Sequence, residues 1–271
     1  IIDFPRDIQP ILDRHCVRCH NYEKFAGKQA LVGDRGPMFS NSYAKLMWGG
    51  YVSHCKNGRG NRPPRDIGSS ASKLIQKISD GHHGVKLSER EFRMLCAWID
   101  AGGPYPGTYA SLGTGVVDIK ADRDVLERRC NVCHDEMSFR WKDNKGPCML
   151  VHWRDLGCFD HYFNLCRPEK SLLLLAPLAR EAGGLGLCVQ EDRAVFADRD
   201  DPDYRTLLAQ ITEAKEELNR IKRFDMPYVR ELKRFGILPS DFDPAKDPVD
   251  PYEVDEKYWR SFWHEPDATS H

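Results

Sequence analysis

The sequence lacks a dominant charge and a long hydrophobic run. Its 40 lysines and arginines nearly balance its 41 aspartates and glutamates, which leaves a net charge of −1. There is neither a basic stripe for nucleic acid nor an acidic tail. The longest apolar stretch, residues 172–178, is interrupted by Pro177 and is much shorter than the roughly eighteen residues of a membrane helix. We therefore expect no nucleic-acid partner and no membrane insertion.

The chain also shows no signal peptide, and it begins at Ile1 rather than at a methionine, so we expect a mature or trimmed product of an exported protein. Cysteine, by contrast, is abundant, with ten residues. Six of them lie outside the two motifs that follow: Cys55, Cys96, Cys148, Cys158, Cys166 and Cys188. This even number fits disulfide bonds in an oxidising compartment. Cys55 and Cys96 are expected to pair, whereas the other four allow three connectivities.

The most informative feature is a C-x-x-C-H motif that occurs twice, at residues 16–20 and 130–134. This motif is typical of covalent haem c attachment, in which two thiols bind one porphyrin and the next imidazole binds its iron. The attachment cysteines are Cys16, Cys19, Cys130 and Cys133. The sequence thus predicts two covalently bound haem c groups, with His20 and His134 as proximal iron ligands. The alternative, a pair of zinc sites, would need a further C-x-x-C or H-x-x-H to partner each motif, and the sequence has none besides the two motifs themselves.

The two motifs divide the chain into parts of similar order. Each motif follows a predicted helix, at residues 5–15 before the first motif and after a cap at Asp122 or Asp124 before the second. Each part then has a short helix, a glycine-rich turn and a further helix. In the first part that further helix begins with the capping box of Ser88 and Glu91.

This order predicts a mainly α fold with two tandem cytochrome c-like haem domains and long loops. The segment 103–115 is rich in glycine and proline and lacks periodicity, so we place the domain boundary there. The first domain is residues 1–112. The second, residues 113–271, is larger because it has an insertion and a C-terminal extension.

The sixth ligand of each iron decides its chemistry, because a strong ligand favours electron transfer, whereas an open position can bind a substrate. In the first part the turn at residues 80–84 contains His82 and His83, and either one is a candidate distal ligand. The matching turn of the second part, residues 183–186, has no histidine or methionine. The candidates there are His161 and Met226. Tyr22, just beyond the first motif, is expected at the haem edge or at the protein surface.

Four segments of the first part accompany its motif: FPRDIQPIL at residues 4–12, GSSAS at 68–72, VKLS at 85–88 and AWIDAG at 97–102. With them, the first part resembles the planctomycete-type cytochrome c domain. That family often has a Met-Pro pair at the distal turn, where this chain has two histidines.

RPEKS at residues 167–171 and PLAREAGG at residues 177–184 extend the likeness. Over nearly its whole length the chain resembles the haem-bearing part of the hydrazine synthase alpha subunit and its planctomycete relatives. The resemblance implies a catalytic first haem and an electron-transferring second haem with two histidine ligands. In that enzyme a tyrosine four residues after the first motif binds the iron and the motif histidine binds zinc. Here that position is Lys24, so we expect His20 to bind iron and we do not expect hydrazine synthesis.

These observations predict a dihaem c-type cytochrome that transfers single electrons between redox-partner proteins in the periplasm or an equivalent compartment. One alternative is a haem enzyme that acts on a small nitrogen species or on peroxide at an open first haem. Another is a zinc-stapled interaction domain. Spin state, carbon monoxide binding and haem content distinguish the three.

Overall fold

The computed structural model describes residues 2–53, 63, 65–105, 117, 119, 121–130, 132, 162–221, 240–241 and 253. This part of the chain is mainly helical, which confirms the mainly α class. Its α-helices are α1 (Gln9–His15), α2 (Asn41–Trp48), α3 (Lys73–Ser79), α4 (Glu89–Asp100), α5 (Arg123–Arg129), α6 (Leu172–Leu175) and α7 (Pro202–Ile221). Single 3₁₀ turns occur at Ala26–Lys28, Ser69–Ala71, His82–Gly84 and Pro168–Lys170. Strands β1 (Val189–Gln190) and β2 (Arg193–Ala194) pair as a short antiparallel hairpin.

The chain enters α1 through one π-helical turn, Phe4–Ile8. Asp3 caps this turn with its carboxylate, and Pro5 lies where the helix needs no backbone N–H. Ile11 and Leu12 follow at helical spacing and are buried in the first core. The helix predicted before the first motif is thus confirmed, with a π-helical turn at its start.

Helix α4 begins at the predicted capping box. The Ser88 hydroxyl accepts a hydrogen bond from the Glu91 N–H, and the Glu91 carboxylate accepts one from the Ser88 N–H at 2.8 Å. Because the helix is amphipathic, Leu95, Trp98 and Ile99 are buried on one face. They join α1, α2 and α3 in the first core.

A second core forms around α5, α6 and α7. Its buried side chains include Leu126 of α5, Leu174 of α6 and Leu207 of α7. Phe196 and Tyr204 add an edge-to-face aromatic pair with ring centres 5.7 Å apart. The further helix predicted in the second part is therefore confirmed as α7. It packs in the same core as α5 and α6.

The helices before the two motifs end in the same way. Both have seven residues, and Cys16 and Cys130 are their C-caps, with φ/ψ of −114°/−41° and −111°/−40°. Each cysteine N–H donates to the carbonyl four residues earlier, at 2.7 Å for Leu12 and 2.8 Å for Leu126. Of the two caps predicted for α5, Asp122 accepts the capping hydrogen bond.

A second repeated feature joins each of these helices to the start of a later one. In the first part, Arg14 and His15 at the end of α1 contact Glu91 in the first turn of α4, at 2.8 and 3.1 Å. In the second part, arginines at the end of α5 contact aspartates at the start of α7. The pairs are Arg128–Asp203, Arg129–Asp201 and Arg129–Asp203. Both arrangements place cations at a helix C-terminus and anions at an N-terminus, as the helix dipoles favour.

A third repeated feature is a buried serine directly before α3 and α6. Ser72 and Ser171 are both fully buried, and each follows a 3₁₀ turn. Their hydroxyls accept backbone N–H groups from remote residues, Ser53 at 2.8 Å and Asn164 at 2.9 Å. The similar order of the two parts therefore has local structural counterparts.

The described segments 17–43 and 162–185 pack directly against each other. The Leu165 N–H donates to the Arg35 carbonyl at 2.7 Å. A mixed apolar cluster contains Tyr22, Ala30, Val32 and Leu175, with Val17, Phe25, Leu172 and Leu185 packed against it. Residues on either side of the predicted domain boundary thus share a buried contact.

Candidate functional site

The first motif folds as a turn at the end of α1. The His20 N–H donates to the Cys16 carbonyl at 3.0 Å, and the Cys19 N–H donates to the same oxygen at 3.1 Å. This turn places both thiols and the imidazole along one side of a cavity of about 380 Å³. A volume of this size lies within the range of small-molecule and cofactor sites.

The rest of the cavity wall is mostly apolar. Its aliphatic side chains are Leu31, Leu46, Leu74, Ile78 and Val85. Among the described residues that line it, Arg18 and Lys77 are cationic and none is an aspartate or glutamate. The cavity therefore suits an apolar occupant with anionic groups.

The ring of His20 is held in one orientation. Its Nδ1 lies 2.9 Å from the Ala26 carbonyl oxygen. Because a carbonyl can only accept, Nδ1 bears the hydrogen, and Nε2 keeps the lone pair that a metal ion binds. Ala26 begins the 3₁₀ turn after Phe25, whose φ of 44° is left-handed. This turn aims the carbonyl back at the motif.

His82 lies in the same cavity and faces His20. The two ring centres are 6.0 Å apart, and the ring planes differ by 16°. Burial lowers the pKa of His82, and the nearby His83 and Lys77 act in the same direction. The neutral imidazole that this favours is the form that binds metal ions.

The structure separates the two histidines that the sequence left as alternatives. His83 is exposed and has a left-handed φ of 45°. Its ring meets the His82 ring edge-on, with centres 4.5 Å apart. Both histidines line the cavity, and the ring of His82 is the one that lies nearly parallel to the ring of His20.

The thiol of Cys16 is mostly withdrawn from solvent. Burial raises its pKa to about 11, so it is a neutral thiol near pH 7. Within the described residues, no group of three or more His, Cys, Asp or Glu side chains is arranged to hold a metal ion.

Only part of the second predicted site is described. Cys130 ends α5 and packs against the second core. Cys133, His134, His161 and Met226 lie outside the described residues, so their roles stay predictions. The turn at residues 183–186 is described, and its Leu185 packs into the mixed cluster with Tyr22.

Three of the six cysteines expected to form disulfide bonds lie outside the described residues: Cys55, Cys148 and Cys158. Cys96 lies on α4, and burial raises its pKa. Cys166 is exposed, and its sulfur accepts a hydrogen bond from the Arg35 N–H at 3.3 Å. The pairing of these cysteines therefore stays a prediction.

One feature near the site could not be predicted from the sequence. Tyr22 is neither a surface residue nor one of the side chains that line the cavity, because it is buried in the mixed cluster. Its hydroxyl accepts a hydrogen bond from Asn164, which is 142 residues away along the chain. No local pattern signals a contact between residues so far apart.

Comparisons with protein-family models, with curated proteins and with solved structures find no match for this chain. In the described part of the chain, every helix is too short or too polar to span a bilayer.

Proposed function

We propose that this protein is a dihaem c-type cytochrome that transfers single electrons between redox-partner proteins. The proposed compartment is the periplasm or an equivalent oxidising one, because haem c is attached there and because the cysteine number fits it. The cofactors are two covalently bound haem c groups. When bound, haem supplies reversible one-electron chemistry, and the protein supplies attachment, axial ligands and burial.

The residues of the first site fit this cofactor. Cys16 and Cys19 would attach it, and His20 would bind the iron through Nε2 while Ala26 holds Nδ1. The aliphatic wall suits a porphyrin ring. Among the described residues that line the cavity, Arg18 and Lys77 are cationic and suit the propionates.

The observation on which the proposal depends is the relation of His20 to His82. The two ring centres are 6.0 Å apart, the ring planes are nearly parallel and both rings line one cavity, so His20 and His82 would be the residues that hold the iron. An iron with two strong ligands exchanges electrons but leaves no position for a substrate. This favours electron transfer over the alternative of an enzyme with an open first haem.

The position of Lys24 agrees with this choice. In the hydrazine synthase alpha subunit that the chain resembles, a tyrosine at this position is the iron ligand. Lys24 is exposed, and its backbone N–H donates to the Asn21 side chain at 2.8 Å. It is not among the residues that line the cavity. We therefore do not propose hydrazine synthesis.

The proposed architecture is two tandem cytochrome c-like domains, residues 1–112 and 113–271. Three repeated features support it: the equal helices that end at Cys16 and Cys130, the ion pairs to the later helix, and the buried serines. His134 is the proposed proximal ligand of the second iron. His161 and Met226 are its proposed distal candidates.

Haem content tests the cofactors directly. The pyridine haemochrome of the protein, exported by a host that attaches haem c, should show two haem c groups per chain. Cys16→Ser with Cys19→Ser should remove one, and Cys130→Ser with Cys133→Ser should remove the other. Absence of covalent haem from the wild-type protein would refute the proposal.

Spin state and ligand binding test the function. Electron paramagnetic resonance of the oxidised protein should show low-spin iron at the first haem. The reduced first haem should not bind carbon monoxide readily, because His82 would occupy the sixth coordination position. A high-spin first haem with full carbon monoxide binding would instead support the enzyme alternative.

A further inference from the structure

We propose that Tyr22 and Asn164 are positioning residues for the first iron ligand, so that the second part of the chain holds His20 in its working orientation. The inference rests on the proposed function, since it concerns the ligand of the first haem. It adds a role to two residues that belong to neither motif and do not line the cavity.

Asn164 is the centre of a buried polar network. Its side chain is fully buried, and its hydrogen-bonding capacity is fully used. The amide nitrogen donates to the Tyr22 hydroxyl at 3.1 Å and to Asp34 at 2.5 Å. The amide oxygen accepts from the N–H groups of Cys166 and Arg167, at 3.0 and 2.7 Å. Such a network has one favourable geometry, because a buried polar group without its partner is costly.

Tyr22, which lies two residues after the first motif, is hydrogen-bonded to this network. Its hydroxyl donates to Asn41 at 2.6 Å, and its ring lies under the Arg167 guanidinium at 5.7 Å. Burial raises the pKa of Tyr22, so it stays a neutral donor. Arg167 also pairs with Asp34 at 2.7 Å. Residues from the second part thus fix the tyrosine from two directions.

A turn held by the Asn21 side chain links Tyr22 to Ala26, whose carbonyl contacts the ring of His20. The Asn21 side chain accepts from the Glu23 N–H at 3.1 Å and from the Lys24 N–H at 2.8 Å, and its own amide donates to the Val17 carbonyl at 2.9 Å. The Phe25 N–H closes the turn on the Asn21 carbonyl at 2.9 Å. Ala26 follows at once.

The Ala26 carbonyl receives the Nδ1 hydrogen of His20, so its position affects the electronic character of the ligand. A hydrogen bond at this nitrogen raises the basicity of a metal-bound imidazole. A more basic ligand stabilises ferric over ferrous iron. Loosening the turn should therefore favour the ferrous form of the first haem.

The test uses the full holoprotein with Tyr22→Phe and, separately, Asn164→Ala. Tyr22→Phe keeps the ring and removes only the hydroxyl, so it remains informative if Asn164→Ala folds poorly. We expect the reduction equilibrium of the first haem to shift toward the ferrous form by about threefold to tenfold. A tenfold shift equals about 59 mV for one electron. The low-spin resonance of the first haem should change as well, while the second haem in Tyr22→Phe should keep its potential.

Lys170→Met is the matched control. It removes the contact of Lys170 with Glu23 at 3.0 Å, which joins the same two segments at the protein surface. An exposed ion pair contributes little, so we expect no change in either haem. If the wild type has two haems and Tyr22→Phe leaves the first haem's potential and resonance unchanged, the positioning role is wrong and the cytochrome function stands. If the wild type has no haem, the proposed function itself fails.

Discussion

At the scale of single residues, the first site depends on which of two adjacent histidines faces His20. The turn gives His82 a half-buried position in the cavity and gives His83 an exposed one with a left-handed backbone. In the proposed cytochrome, His82 would therefore be the iron ligand and its neighbour His83 would not.

This difference gives a prediction with an internal control. His82→Ala should make the first haem high-spin, and its reduced form should bind carbon monoxide, because the strong sixth ligand is lost. His83→Ala should leave the first haem low-spin. Optical and electron paramagnetic resonance spectra of both variants measure this. The reverse result would assign the ligand to His83.

The angle between the two rings gives a second residue-scale prediction. If His20 and His82 held the iron with their planes 16° apart, as the rings lie here, the oxidised first haem would give a rhombic low-spin spectrum with three separated g-values. Perpendicular planes would produce one strongly shifted feature instead. Low-temperature electron paramagnetic resonance of the oxidised wild type distinguishes the two, and the second feature alone at the first haem would contradict the observed ring geometry.

At the scale of secondary-structure elements, α4 links helix capping to the motif helix. Glu91 accepts the Ser88 N–H and also contacts Arg14 and His15 of α1. The hydrogen bonds from Ser88 are the main cause that lowers the pKa of Glu91 to about 2, with the contacts to α1 adding to it. The same carboxylate thus starts one helix and anchors the end of another.

Glu91→Ala should lower the free energy of unfolding by about 1 kcal/mol near neutral pH, because the capping box is lost. Since the folded pKa lies below the ordinary value of 4.5, the stabilisation is present above that pH and is lost as the pH falls toward 2. Denaturant unfolding at several pH values should show the variant and the wild type converging in acid. A constant difference down to pH 2 would contradict the role of the charge.

Glu89→Ala is the control on the same helix. Glu89 pairs with Arg93, and both side chains are 77% exposed. Such a pair contributes about 0.5 kcal/mol or less. We therefore expect a small loss of stability, and a loss equal to that of Glu91→Ala would mean that general surface charge, rather than the capping box, stabilises α4.

At the scale of the whole molecule, α6 contacts both the second core and the mixed cluster. Leu174 belongs to the second core, whereas its neighbour Leu175 belongs to the mixed cluster with Tyr22 and Val32. Because this single helical turn contacts both the second core and the mixed cluster, the two proposed domains should unfold together.

Leu175→Ala and Leu174→Ala test this coupling. Each removes a buried leucine and should cost about 2–5 kcal/mol. Only Leu175→Ala weakens the contact between the two parts, so it should split the single unfolding transition into two, whereas Leu174→Ala should only shift it. Circular dichroism and haem absorbance followed during thermal unfolding measure this, and two transitions in the wild type would argue against coupling.

Local chemistry made part of this protein predictable. The C-x-x-C-H motifs, the cap at Asp122 and the capping box at Ser88 involve residues within four positions of each other, so adjacent sequence determines them. The mainly α class follows from the same short-range patterns. Which of His82 and His83 faces His20 could not be predicted in this way, because the two histidines are adjacent in one short turn.

The sequence by itself therefore determined the two C-x-x-C-H motifs and the helices that precede them, since these depend on spacing along one turn of chain, and it predicted the haem attachment residues and His20 as a proximal ligand. The tertiary structure alone decided that His82 faces His20 across the cavity and that Asn164 holds Tyr22. The physical reason is the separation along the chain: α1 and α3 are both buried in the first core, and the segments 17–43 and 162–185 share the mixed cluster. Such packing is a property of the whole buried surface, and no short stretch of sequence specifies it.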